Sequence, residues 1–283
     1  MPYSDLARQR VQRFARPADL DAAGCTIEER EEYEPHLAAG NVVFAGVDYA
    51  EIVARASAEA DVIVWDGGNN DFPFVRPDLH VVVVDALRPG DARGYYPGEA
   101  VLRTADVVVV NKVDSASAGQ VARATETARA VNATAPIVRG ALPIDLDDAA
   151  AVRGRRVLVV EDGPTITHGS MPHGAGFVAA RAAGAAVIVD PRPAAAPGLR
   201  DVYARYPHIG RVLPAVGYNA AQLEALRETI RQAPADVVVA ATPVDLGRLL
   251  GLDKPVIRAR YSFREASEPG LGAVVDRWLR GKA

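Results

Sequence analysis

Short valine- and isoleucine-rich runs recur along the chain, each closed by an acid, an amide or a glycine and followed by a helix-compatible stretch, and they constrain its fold more than any other feature. Apolar runs without polar alternation are how strands buried on both faces read, and burial on both faces belongs to parallel sheets covered by helices. The pattern predicts strands at Val42 to Gly46, Asp61 to Asp66, His80 to Asp85, Val107 to Asn111, Pro136 to Arg139, Val157 to Glu161, Ala186 to Asp190, Val212 to Val216, Val237 to Ala241 and Val256 to Tyr261. Helices are expected at Tyr49 to Ala60, Ala116 to Val131, Gly176 to Ala183, Ala220 to Gln232 and Gly270 to Arg280. The fold class that follows is α/β, with doubly wound, mostly parallel sheets. Ligands of such sheets bind beyond the carboxyl ends of the strands, so the polar residues that close the runs carry the functional information.

A boundary is expected within ALPIDLDDAAAVRGR, residues 141–155, where apolar strands give way to acids and then bases before RRVLVVEDG starts afresh. The expected domains are residues 1–150 and residues 151–283. With 283 residues, 49% hydrophobic and 24% charged, the chain can build one or two cores. A net charge of -4 and a pI near 5.8 give no broad field for nucleic acid or anionic membrane, so neither is expected as a partner. No apolar run approaches the roughly 20 residues that span a bilayer. The single cysteine, Cys25, cannot form an internal disulfide, which fits a reducing cytoplasmic setting. Homo-oligomerisation stays an open expectation. Thr26-Ile27-Glu28-Glu29 reads as a capping box opening the acidic helix TIEEREEYEPHL, expected to be solvated and without catalytic duty.

The run Val107 to Val110 stops at Asn111-Lys112-Val113-Asp114, which has the form of a guanine-reading loop. A carboxylate at Asp114 can accept from N1–H and the exocyclic amine of guanine, a donor pair that adenine lacks, while the stem of Lys112 covers the base and Asn111 ties the loop. The bland alternative is a polar turn that caps the following helix. A loop of the form GxxxxGK[ST] should accompany it to hold phosphates. The three lysines, Lys112, Lys254 and Lys282, do not stand in such a loop.

Other strand ends add candidates. Asp66 in ADVIVWDGGNNDFPF, followed by Gly67 and Gly68, resembles the second acidic motif of P-loop NTPases and would hold magnesium through water. Asp48 in AGVDY is a candidate switch acid. In VLVVEDGPTITHGSMPHGAG, Glu161 and Asp162 are candidate metal ligands, His168 a candidate for proton transfer, and Gly169, His173, Gly174 and Gly176 candidates for an anion site at a helix N-terminus. Arg88 is a further phosphate or substrate candidate. Thr242 and Asp245 are expected to cap a helix.

Taken in order, CTIEEREEYEPH, AGVDY, WDGGNNDFPF, PDLHVVVVDALRPG, ADVVVVNKVD, VEDGPTITHGSMPHGAG, VDPRP and YPHIGRVLPAVGY resemble the P-loop proteins related to cyclic 2,3-diphosphoglycerate synthetase over nearly the whole chain. The resemblance implies a partial P-loop NTPase-like domain followed by a second Rossmann-like α/β domain, with the phosphate loop upstream of the region seen here. It implies a magnesium-dependent ligase in which a nucleotide γ-phosphate drives phosphoanhydride formation in a small phosphorylated acid, inactive without that loop. By motif match, Asp66 takes the magnesium role and Asn111, Lys112 and Asp114 the base role. The tetrad favours GTP and the resemblance ATP. One departure is Asp85-Ala86-Leu87-Arg88-Pro89-Gly90-Asp91, where the family tends to end in histidine, and this puts the substrate in question. The rival expectations are a GTP-dependent regulatory or chaperone-type switch, and a degenerate module that no longer hydrolyses nucleotide. A phosphate-loop strand missing from the sheet would leave Asp61 to Asp66 or Val42 to Gly46 as an exposed apolar edge.

Overall fold

The computed structural model describes residues 6–67, 72–167, 171–216 and 219–282. In chain order its elements begin with β1 (Gln12–Phe14), α1 (Pro17–Ala23), α2 (Ile27–Ala38), β2 (Val43–Ala45), α3 (Tyr49–Ala56), β3 (Val81–Asp85), α4 (Asp91–Gly94) and α5 (Gly98–Arg103). Next come β4 (Val107–Asn111), α6 (Ala118–Val131), β5 (Ile137–Ala141), β6 (Ile144–Leu146), β7 (Arg156–Asp162), α7 (Gly163–Thr167), α8 (Ala175–Ala182) and β8 (Val187–Ile188). The chain ends with α9 (Pro197–Arg205), β9 (Leu213–Ala215), α10 (Ala220–Gln232), β10 (Val237–Ala241), α11 (Leu246–Leu250), β11 (Val256–Tyr261), β12 (Arg264–Glu265) and α12 (Leu271–Lys282). The architecture is α/β, as the apolar runs predict.

Two compact units form: Met1–Glu59 with Ile144–Arg260, and Ala60–Pro143 with Tyr261–Ala283. The cut after Pro143 lies near the expected one at residue 150, but both ends of the chain pack with the other half. Sequence order cannot reveal this, because an amphipathic segment settles wherever a matching apolar face exists. Ile27 of α2, for example, is buried in one cluster with Leu158, Leu213 and Val238.

The first unit holds a sheet ordered β6-β11-β10-β7-β8, with β9 also on β7. Strand β10 runs parallel to both β7 and β11, aligning Val239 with Val159 and with Ile257. Leu158, Val160, Val238 and Ala240 point into one core, and Val157, Val159, Val237 and Val239 into another on the opposite face. This is why these strands carry no polar alternation, each buried side chain contributing about 1.5–3 kcal/mol. The same unit contains the antiparallel pair β1-β2.

The second unit holds the sheet β12-β5-β4-β3, in which β3, β4 and β5 are parallel and β12 is antiparallel to β5. Val108 and Val110 pack with Val121, Ala124 and Ala128 of α6, while Val107 and Val109 pack toward Leu271 and Val274 of α12. Strand β3 ends the sheet, and Val83 in its middle is 62% exposed.

The predicted strand Asp61 to Asp66 does not form: these residues take no strand assignment, and Val62, Ile63 and Val64 are 59%, 46% and 81% exposed. An apolar run becomes a strand only where a neighbouring backbone offers its hydrogen bonds. The apolar side chains are open to solvent, but on a segment without strand pairing and not on the sheet edge that was expected there. Among the described residues, no helix is long and apolar enough to cross a membrane.

Candidate functional site

Strand β4 delivers Asn111 to its carboxyl end, directly beside Asp85 at the end of β3. The next residue, Lys112, has φ 62, a left-handed conformation that a lysine avoids unless its surroundings impose it. They do so here. The Lys112 Nζ donates to Asp85 at 2.8 Å, its carbonyl accepts from Ala116 N–H at 3.1 Å, and Val113 N–H donates to the Gly140 carbonyl at 3.1 Å. The Asp114 carboxylate accepts from Leu142 N–H at 3.0 Å. The loop is thereby fixed between the ends of β3 and β5.

Helix α6 is capped by Ser117, whose hydroxyl accepts from Gln120 N–H and whose own N–H meets the Gln120 side chain. Capping therefore does not account for Asp114. Asp85, which was not among the sequence-predicted site residues, sits at the centre of the cluster. Burial pushes its carboxyl up, but the Lys112 hydrogen bond, the Leu87 amide and the charges of Lys112 and Arg88 outweigh that and hold it below the usual carboxylate range. Arg88 pairs with Asp85 at 3.3 Å and Asp91 at 3.7 Å. The signal in the sequence was present: Asp85 closes an unbroken valine run, as Asn111 does. Asp66 and Gly67 are exposed and stand on no strand, and Gly68 lies outside the described residues.

Asp48 belongs to the first unit and is a helix cap there. It accepts from Glu51 N–H at 3.0 Å and pairs with Arg10 at 3.1 Å, both of which hold its carboxyl below the usual range. Its geometry is explained without a switch role.

At the carboxyl ends of β7 and β10 the structure departs from the expected anion site. The amides that would bind an anion are occupied by a side chain: Glu161, 2% exposed, accepts from Gly174 N–H at 3.0 Å, Gly176 N–H at 3.1 Å and Phe177 N–H at 2.8 Å. A Cβ on Gly174 would lie 2.6 Å from Glu161 Oε2 and one on Gly176 2.7 Å from the Ala241 Cβ, so the glycines serve internal packing. Burial pushes Glu161 up to about 7 against the pull of the three amides. With its oxygens engaged this way, Glu161 is a poor metal ligand, and no group of three or more acids, histidines or cysteines suited to a metal occurs among the described residues. His173 stacks on Phe177 with ring centroids 4.4 Å apart, and its Nδ1 is enclosed without a hydrogen-bond partner among the described residues. His168 and Gly169 lie outside the described residues.

Helix α2 opens with the expected capping box, Thr26 N–H donating to Glu29 at 2.9 Å and Glu29 N–H to the Thr26 hydroxyl at 3.2 Å. It is not a merely solvated helix. Arg30 and Glu31 are buried, and the Thr242 hydroxyl donates to Glu31 Oε1 at 2.6 Å. Thr242 thus meets Glu31, whereas Asp245 caps α11 by accepting from Arg248 N–H at 3.0 Å. Burial first, and then the Asp162 carboxylate beside it, raise Glu31 from 4.5 to about 9. A carboxyl raised in the folded state stabilises fully below its unfolded value, and that contribution is lost as pH rises through the folded value. Thermal stability should therefore fall between pH 5 and 9, and Glu31→Gln should flatten the slope; a variant with the wild-type slope in thermal melts would refute the assignment.

Residues 54–139 match the family model described as CobW/HypB/UreG, nucleotide-binding domain. The chain is 51% identical over 280 residues to arginine synthetase ArcE of Thermococcus kodakarensis, covering 99% of this chain and 62% of that protein. It is 31% identical over 99 residues to cyclic 2,3-diphosphoglycerate synthetase of Pyrococcus furiosus, covering 35% of this chain and 23% of that protein. The chain therefore spans less than two thirds of either curated relative, and the diphosphoglycerate synthetase likeness is confined to about a third of it. Residues 54–139 are thus similar to a nucleotide-binding domain of the CobW/HypB/UreG type, and nearly the whole length of the chain is similar to an arginine synthetase.

Proposed function

We propose that this chain carries the base-reading part and a substrate part of a nucleotide-dependent synthetase whose substrate or product is arginine or a close analogue. The single observation that carries the nucleotide reading is the fixed loop Asn111 to Asp114, with a strained Lys112 held by Asp85 and the Asp114 carboxylate anchored on Leu142 N–H. Asp114 accepts from the base edge through its remaining lone pairs, Lys112 covers the base with its stem, and Asn111 keeps the turn in register. Guanine, which offers two donors on one edge, fits this acceptor better than adenine. Arg88, 60% exposed at the end of β3, is suited to an anionic group of nucleotide or substrate.

Magnesium needs only one or two protein carboxylates beside phosphates and waters, so a single exposed carboxylate at Asp66 is compatible with it. When bound, the ion would neutralise charge on the transferred phosphoryl group. The arginine reading is favoured over the phosphorylated-acid reading by the extent of similarity.

The test is base selectivity. Asp114→Ala should lower GTP affinity about tenfold or more while leaving ATP affinity nearly unchanged, read by calorimetry on a chain that includes a phosphate loop. Equal losses for both nucleotides would remove Asp114 from base reading.

A further inference from the structure

We propose that Phe263 forms the second wall of the base pocket and stacks on the purine. The inference rests on the nucleotide reading above but concerns a residue on a segment far from the tetrad in sequence.

Strand β12 pairs Arg264 with Ala141 and Glu265 with Gly140 in antiparallel register, which carries Phe263 past the carboxyl end of β5 beside the base-reading loop. Gly140 is where the ring arrives. A Cβ there would lie 2.3 Å from Phe263 Cε2 and 2.8 Å from Asn111 Oδ1, so ring and carboxamide converge on a strand position without a side chain. A glycine inside a strand often marks such a close approach. The Asn111 Oδ1 is enclosed there without a hydrogen-bond partner among the described residues. The rest of the ring stays open: Phe263 is 42% exposed, an aromatic surface left to solvent next to a polar loop.

The tetrad explains how the edge of a base is read and how Lys112 covers one side of it. It does not supply a second side. An aromatic ring on the other side adds stacking that is indifferent to base identity, because every base has a π-face. Phe263 should therefore strengthen binding of guanine and adenine nucleotides alike, whereas Asp114 separates them.

The experiment uses this chain with GTP and ATP in saturation-transfer NMR, which detects weak binding, on wild type and on Phe263→Leu, Phe263→Trp and Asp114→Ala. Leucine keeps apolar bulk over Gly140 without an aromatic face, so a variant that folds is available. Phe263→Leu should weaken both nucleotides by about tenfold, Phe263→Trp should retain them with emission quenched on binding, and Asp114→Ala should erase only the preference for GTP. Wild-type affinity in Phe263→Leu, alongside binding by wild type, overturns the stacking role and leaves the nucleotide reading intact. No saturation of the wild-type chain by either nucleotide overturns this inference together with the nucleotide reading.

Discussion

Joined to an upstream strand that ends in a Gly-Lys-Ser phosphate loop, this chain should bind magnesium–GTP or magnesium–ATP on the order of a thousandfold more tightly than it does alone. Phosphates contribute most of the affinity for a nucleoside triphosphate, through backbone amides and a lysine, and charge-assisted hydrogen bonds are each worth roughly 1.5–3 kcal/mol. Two or three of them reach the about 4 kcal/mol that a thousandfold requires. Two of the lysines are engaged elsewhere: Lys112 is bonded to Asp85, and Lys254 donates to the Ile230 carbonyl at 2.8 Å. The second unit also presents a place for such a strand, since β3 is a sheet edge with Val83 exposed and Val62 to Val64 lie open to solvent. Calorimetric titration of the two forms decides the matter. Binding by neither form would mean that the loop at Asn111 to Asp114 does not read a nucleotide.

The second large effect is on stability. Glu161→Ala should destabilise the first unit by about 3–6 kcal/mol, enough to threaten folding of a unit whose total stability is of the usual order of 5–15 kcal/mol. The carboxylate satisfies the amides of Gly174, Gly176 and Phe177, and each buried amide left without an acceptor costs about 1–3 kcal/mol. Glu161→Gln retains one carbonyl oxygen but turns an amide donor toward N–H groups, so it should fall between alanine and wild type. Urea denaturation followed by circular dichroism reads all three. If Glu161→Ala melts like wild type, the amides at the start of α8 find other partners, and the expected anion site there becomes tenable again.

Base selectivity at Asp114 and the pH slope governed by Glu31 separate the two chemistries further. The first belongs to the loop at Asn111 to Asp114 alone. The second reports on a buried carboxyl that α2 brings to the strand ends of the first unit, where it meets the Thr242 hydroxyl.

The sequence by itself determined the α/β class and most strand positions, because strands buried on both faces cannot afford polar residues and so announce themselves as unbroken valine runs. It also determined the α2 capping box and marked the turn at Asn111 to Asp114, since both are local patterns whose residues lie within one turn. Only the tertiary structure decided the rest. The run Asp61 to Asp66 has the composition of a strand but no strand pairing, so propensity alone was insufficient. Asp85 joined Lys112 through the parallel register of β3 and β4, Glu161 rather than a ligand took the α8 amides, and Glu31 became buried through packing across the chain. Phe263 reached Gly140 by the return of β12 to β5. Each of these depends on contacts between distant segments, whose energy is set by which faces meet rather than by what neighbours what along the chain.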